Sequence, residues 1–504
     1  MNAPKAVVTG IGVAAPNGLG TERYWAATRA GVPAIGAVAG FDASHYPSRL
    51  AGEVRGFDAA AHLPSRLLPQ TDRVTRLALV AAGEALADAG VGPDPDDALD
   101  RGVVTAMSAG GFAFGQRELE RLWSRGGQYV SAYQSFAWFY AVNSGQISIR
   151  HGLKGPSGVV VTDEAGGLDA IAQARRLLRR SGLVVCGAVD GSICPWGWVA
   201  RLTGGRVAKG DDPAEAYLPF DARAAGHVPA EGGAMLVLES AEAARRRGAP
   251  RVYGEVAGYA ATFDPAPGSG RPPTLRRAIE CALADADLDP TDVDVVFADA
   301  AAVPRLDRAE SEAIAAVFGD RAVLVTAPKT MVGRMDAGSA ALDVATALLA
   351  IRDGIVPPTI NVRPARHHPV EIVTGPARRA TVRAAIVIAR GHGGFNSVLA
   401  VRAPRRAPGE DGGGHSRREE HTMPDRNLEL DDLRRLLRAG AGLDESVELD
   451  ADTADVDLVD LGVDSVALLE TAALIGREYG LHLDDEALTR ATTARLLLNL
   501  VNDS

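Results

Sequence analysis

The chain has 504 residues, 46% of them hydrophobic and 23% charged, and lacks any uncharged apolar run of about 18 residues; a large folded core is expected and a membrane span is not. Its net charge of −11 is unevenly held: residues 427–504 carry 18 acidic and 6 basic residues, a balance of −12, leaving residues 1–426 with 46 acidic and 47 basic, a balance of +1. A near-neutral body with an acidic tail excludes a nucleic-acid-binding tail and suits contact with basic protein patches. The three cysteines, Cys186, Cys194 and Cys281, show no metal spacing and are odd in number, and the N-terminus lacks the pattern of a signal peptide, so a reduced cytoplasmic protein without a metal is expected.

From the N-terminus, AVVTGIGVAA (6–15), GVVTAMSAGG (102–111), GVVVTDE (158–164) and LVVCGAVDG (183–191) read as buried strands. Amphipathic helical patterns fall between them over 74–90 and 165–182. The second half repeats the theme. Helical patterns over 274–286, 309–319 and 338–354 alternate with strand-like VDVVFADA (293–300), RAVLVTA (321–327) and RAAIVIARG (383–391). This alternation predicts an α/β fold of two similar halves, with buried mixed sheets between helix layers.

Residues 404–426, PRRAPGEDGGGHSRREEHTMPDR, are rich in proline, glycine and charge, and their composition predicts a flexible linker. A coil of that length has an end-to-end distance of about 25–29 Å. Beyond it, residues 427–504 predict a small all-α bundle, with Leu430, Leu433 and Leu437 on one helix face, Val466, Leu469 and Ala473 on a second, and TTARLLLNLVN as a closing helix. Three units follow: a body at 1–403, the linker at 404–426 and the bundle at 427–504.

Two segments carry chemistry. In VVVTDEAGGLDAIAQARR (159–176), a strand turns into a helix through Ala-Gly-Gly, which presents one side chain where a helix dipole would activate a nucleophile. That side chain is Glu164, not cysteine or serine. In DLVDLGVDSVALLET (457–471), Ser465 stands at a helix start beside Asp464. It is either a plain N-cap or an attachment point whose phosphodiester the helix end would favour.

The tail, with Leu461-Gly462 before Asp464-Ser465 and Glu470 after, resembles the acyl carrier protein family, which implies 4′-phosphopantetheine on Ser465. The body resembles the β-ketoacyl synthases of the thiolase-like superfamily through YLPFDARAAGHVPAEGGAMLVLE (217–239), APKTMVGRMDAGSAALD (327–343) and GHGGFNSVLAV (391–401). Such enzymes need an elbow cysteine and two histidines. Here the three positions hold Glu164, Asp299 (in VVFADAAAVP) and Arg334, although Lys329 remains. Among the other polar residues, His392 reads as structural and Cys186 as an inert buried hydrophobe.

SFAWFYAVNSGQISIRHG (135–152) and DPAEAYLPFDARAAG (212–226) narrow the resemblance to the chain length factor, or ketosynthase β-subunit, of type II aromatic polyketide synthases. The resemblance implies a thiolase-like body without a catalytic set of its own, paired with a ketosynthase α-subunit. It also implies a phosphopantetheinyl transferase, a malonyl-CoA:carrier acyltransferase and downstream ketoreductase or cyclases as partners. In MSAGGFAFGQRELERLW (107–123), Phe112, Gly115 and Leu119 align with the gate of the family's tunnel, and the glycine and leucine predict a product of about decaketide length or longer. The competing reading is that these three residues only pack an interface.

The family usually carries glutamine at the elbow, and glutamate has no amide N–H to donate, which puts a priming decarboxylation there in question. The charges predict instead a buried Glu164–Arg334 ion pair with Asp299 and Lys329 nearby, against a Glu164 simply solvated in a vestigial cleft. Two other functions stay open at this point: a stand-alone malonyl decarboxylase using Glu164 or Lys329, and a scaffold whose carrier is never modified.

Overall fold

The computed structural model describes residues 4–94, 97–266, 268–404, 430–441, 453–458, 471 and 492–502. The chain divides into two compact units, Met1–Ala407 and Pro408–Ser504.

In the first unit, strands β1 (Ala6–Ala15), β2 (Arg101–Ala106), β3 (Ser157–Val160), β4 (Leu183–Asp190) and β5 (Gly232–Ser240) form one half of a mixed sheet. The other half comprises β6 (Gly254–Phe263), β7 (Val295–Phe297), β8 (Leu324–Thr326), β9 (Ala384–Arg390) and β10 (Phe395–Arg402). The two halves share one topology. Their spatial orders are β3-β2-β4-β5-β1 and β8-β7-β9-β10-β6. In each, the second strand runs parallel to its two neighbours, and the last two pairings are antiparallel. The halves join where β1 meets β6, with Val7 opposite Glu255.

Helices α1 (Arg73–Asp88), α2 (Phe112–Arg125), α3 (Gly166–Leu177), α4 (Pro195–Thr203), α5 (Leu275–Ala286), α6 (Pro304–Phe318) and α7 (Ala337–Asp353) complete the frame used below. Both faces of the sheet are covered, so strands that point successive side chains to opposite faces read as unbroken apolar runs. In β2, Val104 joins α3 and α7 in the central core, while Val103 packs with α1 on the other side. In β9, Val387 faces the central core, and Ile386 and Ile388 meet α5 and α6. The result is five layers: α1, a half-sheet, α3 with α7, a half-sheet, and α5 with α6. Helix α7 has apolar neighbours on every side, which explains its alanine-rich sequence, buried from Ala337 through Ala350.

Strand ends differ from the sequence reading at the elbow. The strand expected over 158–164 stops at Val160, because Asp163 takes a left-handed backbone (φ 55°) and Asp163–Ala165 form a 3₁₀ turn before α3. Glu164 therefore precedes the helix rather than opening it.

In the second unit, the described parts are a helix at Leu430–Ala441, a segment at 453–458 and a helix at Ala494–Asn502. Leu433, Leu436 and Leu437 are buried in the first helix, and Ala494, Leu497 and Val501 in the last. Residues 405–426 of the expected linker, the first residues of the expected bundle at 427–429, the face of Val466, Leu469 and Ala473, and Ser465 lie outside the described residues. Among the described residues no helix is long and apolar enough to cross a membrane.

Candidate functional site

The elbow is built by close helix packing. A Cβ on Gly167 would sit 2.4 Å from the Ala337 carbonyl oxygen, so only glycine lets the first turn of α3 rest on the first turn of α7. That contact brings the 163–165 turn beside the loop preceding α7, which carries Arg334. The Arg334 backbone is fixed in turn: its N–H donates to the Val228 carbonyl (2.8 Å) and its carbonyl accepts from Ala230 (2.6 Å).

Arg334 is 2% exposed and its guanidinium binds Glu164 through two parallel hydrogen bonds, Nε to Oε1 at 3.1 Å and Nη2 to Oε2 at 2.8 Å. Nη2 also reaches Asp299 Oδ1 at 2.9 Å, and Nη1 donates to the Asp299 carbonyl at 2.6 Å. The planar fork of arginine suits this double recognition, where a lysine would offer a single point charge. Glu164 is 5% exposed, so the solvated-cleft alternative does not hold in this structure.

Lys329 is tied separately. Its ammonium meets Asp343 Oδ2 at 2.6 Å and donates to the Ala298 carbonyl at 2.6 Å. Burial works to raise the Asp299 carboxyl, but the Arg334 and Lys329 charges outweigh it and hold the group below its ordinary value. Burial likewise opposes the Arg334 charge, and Asp299 and Glu164 overcome it, so the guanidinium stays firmly protonated. The backbone N–H groups of Asp299 and Ala300 donate to Glu310 at 2.6 and 2.9 Å, and Ala300 and Ala302 hold left-handed conformations (φ 53° and 55°) that alanine adopts at a cost.

Chemically the cluster is saturated. Both Glu164 oxygens accept from Arg334, and the Lys329 ammonium is held by a carboxylate and a carbonyl, so neither group is placed as a free base or nucleophile. Asp163, Glu164 and His392 present ligand-type atoms within 4.8 Å of one another, with Glu164 committed to Arg334 and Asp163 to His392. Cys186, in the middle of the sheet, is fully buried, and burial pushes its thiol far up.

The three gate residues expected from the sequence fall on α2. Phe112 stacks on Trp196 of α4, with ring centroids 4.6 Å apart and planes 9° from parallel. A Cβ on Gly115 would lie 3.3 Å from the Trp196 ring and 3.5 Å from Trp138 Cβ. Leu119 is half-buried on the same helix. Trp196 is the residue sequence reasoning missed, since nothing in its local pattern points to a partner about 80 positions away. Phe112 also walls a cavity of about 340 Å³ that reaches Asp163, Arg201, Asp336 and His392. A second cavity, also about 340 Å³, lies beyond Asp299 against Arg206, Arg305, Arg390 and the glycine turn before Phe395.

Comparison with known proteins gives three family matches: beta-ketoacyl synthase N-terminal domain at residues 4–244, beta-ketoacyl synthase C-terminal domain at 253–363, and phosphopantetheine attachment site at 432–501. The chain is 60% identical over 406 residues to the tetracenomycin polyketide synthase ketoacyl synthase beta subunit of Streptomyces glaucescens, covering 80% of this chain and 99% of that one. It is 55% identical over 398 residues (79% and 98%) to the actinorhodin polyketide putative beta-ketoacyl synthase 2 of Streptomyces coelicolor. Identity to the alpha subunit of the tetracenomycin synthase is 34% over 417 residues (80% and 97%). Among solved structures, the ishigamide ketosynthase/chain length factor is similar, with a TM-score of 0.71, 28% identity, and coverage of 80% of this chain and 100% of that one.

Proposed function

The chain belongs to the ketosynthase β-subunits of the β-ketoacyl synthase family, and from that membership we propose that it is the non-condensing chain length factor of a type II polyketide synthase, carrying its own acyl carrier domain. One observation carries the reading. Where a condensing enzyme places its nucleophile and two histidines, this chain seals Glu164, Asp299 and Arg334 into a buried ion-pair network. Condensation then belongs to a ketosynthase α-subunit, and this chain supplies wall and partner surface. Two features support such a partner: β3 is an open sheet edge, and Trp138 and Trp196 are about two-fifths exposed.

The Phe112–Trp196 stack and Gly115 form the gate of the shared tunnel, and a product of about decaketide length or longer follows from the small residue at 115. The carrier domain holds the chain on 4′-phosphopantetheine attached to Ser465, whose arm supplies a thiol for acyl thioesters. A phosphopantetheinyl transferase loads it, a malonyl-CoA:carrier acyltransferase charges it, and a ketoreductase or cyclases act downstream, all in the cytoplasm. The attachment-site match over 432–501 and the Asp464-Ser465 pair support that assignment.

The test is reconstitution. Co-expressed with a ketosynthase α-subunit, the chain is expected to yield a polyketide that neither chain makes alone. By itself, given malonyl-loaded carrier, it is expected to form no acetyl-carrier. Acetyl-carrier formation by the isolated chain would restore the decarboxylase reading. Intact mass after phosphopantetheinyl transferase treatment should rise by one phosphopantetheinyl group, and Ser465→Ala should abolish the gain.

A further inference from the structure

The cavity of about 340 Å³ beyond Asp299 holds cations that nothing in the body answers. Its carboxylates are satisfied. Asp264 accepts from the backbone N–H and the hydroxyl of Thr274, at 2.7 and 3.0 Å, and from Asn396 Nδ2 at 2.9 Å. Asp299 accepts from Arg334 and from the Arg390 backbone N–H, each at 2.9 Å. Arg390 is satisfied as well, since its guanidinium donates to the Asn396 side chain and to the Leu306 carbonyl, both at 3.1 Å.

Arg206, Arg271 and Arg305 line the same cavity, and none of their guanidinium groups has a hydrogen bond or ion pair among the described residues. They come from three separate segments: Arg206 after α4, Arg271 in the glycine-rich loop after β6, and Arg305 in the first turn of α6. Arg206 is half-buried. Burial lowers its pKa, and the Arg334 and Arg305 charges act in the same direction against Glu164 and Asp299. A half-buried cation crowded by others is a place where an anion is stabilised. Between the arginines the lining is open backbone and small apolar surface. Gly268 and Gly270 hold left-handed backbones (φ 83° and 73°), and nothing lies within 4 Å of where a Cβ on either would stand. Leu306, Ala309 and Phe395 add an apolar strip.

The four arginines and two carboxylates of the lining leave a balance of +2, which selects a dianion. Three unanswered guanidinium groups suit a group with three acceptor oxygens, and a phosphate monoester has both that charge and that oxygen count. A phosphodiester carries one charge, and a single carboxylate offers two oxygens. We propose that this cavity is an effector site for a small phosphate monoester, with Arg206, Arg271 and Arg305 on its phosphate oxygens and its carbon stem on Leu306, Ala309 and Phe395. The inference goes beyond the function proposed above. Asp299, on the cavity wall, belongs to the sealed network with Arg334 and Glu164, so the ligand is held and not turned over. A phosphopantetheine arm, being a diester, has the wrong charge for the site. Binding ties three segments of the body together and stabilises it.

The test is calorimetric titration of the whole chain at constant ionic strength, with methyl phosphate, dimethyl phosphate and malonate as probes. Methyl phosphate is expected to saturate one site per chain, and the diester and the dicarboxylate to bind at least about tenfold more weakly. Arg206→Met is expected to weaken methyl phosphate about tenfold. Arg305→Met, at an exposed position that leaves the fold intact, is expected to do the same if the first variant misfolds. Arg180→Met, at an exposed arginine outside the cavity, is expected to change nothing. Methyl phosphate should also raise the thermal unfolding midpoint of the parent chain and leave that of Arg305→Met unmoved. Failure of methyl phosphate to saturate, equal binding of dimethyl phosphate or malonate, or a loss in Arg180→Met equal to that in Arg305→Met would each overturn the site. None of these results touches the chain length factor reading.

Discussion

Arg334 anchors the electrostatics of the body. It is 2% exposed, binds two carboxylates and is held by backbone hydrogen bonds on both sides. Removing the cation leaves Glu164 buried without its partner and Asp299 with only the Arg390 N–H and the Lys329 charge nearby, so Arg334→Met should cost about 3–5 kcal/mol. Glu164→Gln keeps an acceptor for the guanidinium and leaves Asp299 in place, so it should cost only about 1 kcal/mol. Denaturant unfolding of the two variants checks the ordering, and equal losses would mean the guanidinium is stabilised elsewhere. The Asp163–His392 contact makes a second prediction. Burial works to raise Asp163, but the His392 hydrogen bonds bring it down to about 2, while the Asp163 bond raises His392. The aspartate's stabilisation is present above its ordinary value and lost as pH falls toward 2. The histidine's is present below its ordinary value and lost as pH rises through its raised one. The contact therefore contributes most between about pH 4 and 6.5. An NMR titration of His392 should show a midpoint that moves down in Asp163→Asn.

At the scale of single elements, the segment after β7 holds a conformation that its alanines adopt at a cost. The segment after β7 is Asp299-Ala300-Ala301-Ala302, and Ala300 and Ala302 adopt left-handed backbones while Ala301 does not. The conformation persists because carbonyls in this segment have fixed partners: Tyr217 donates to Ala300 at 2.9 Å and Gly226 to Ala302 at 2.7 Å. Ala300→Gly relieves a left-handed alanine and should stabilise the body by about 1 kcal/mol. Ala301→Gly gains no such relief and should destabilise it by about 0.5–1 kcal/mol. Thermal unfolding of the two single variants distinguishes them, and a loss in both would mean the backbone strain is negligible. The alternation of apolar runs made β1, β4, β9, α1, α5 and α7 legible in the sequence almost to the residue, whereas the strand read over 102–111 stops at Ala106 and the helices read over 165–182 and 309–319 are Gly166–Leu177 and Pro304–Phe318. The elbow was legible only in outline. The strand ends early at a left-handed Asp163, beside which α3 packs closely on α7, and no local residue pattern encodes that packing.

For the whole molecule, the acidic tail and the Pro/Gly/charge-rich stretch at 404–426 bear on the proposed supply of substrate. Under the proposed reading, a flexible 23-residue linker would hold the carrier at an effective concentration of about a millimolar. Product formation by the complex should therefore be insensitive to added free carrier protein. A strong stimulation in a titration with separate malonyl-loaded carrier would rule out the tether as the working supply.

The sequence by itself determined the α/β class with two repeating halves, the departure of Cys, His and His from the condensing positions, and a serine suited to a phosphopantetheine arm. The first is read from the alternation of apolar runs, and the other two from the resemblance of short segments to known families. The Glu164–Arg334 pair was already expected from the charges at the replaced positions and is present in the structure; only the tertiary structure decided that Lys329 is tied to Asp343 instead and what fills the space beside Gly115. Glu164 and Arg334 are 170 residues apart, and Phe112 finds Trp196 across two helices. Such partners depend on strand order and helix packing, in which segments distant along the chain are brought together by the burial of their shared apolar faces.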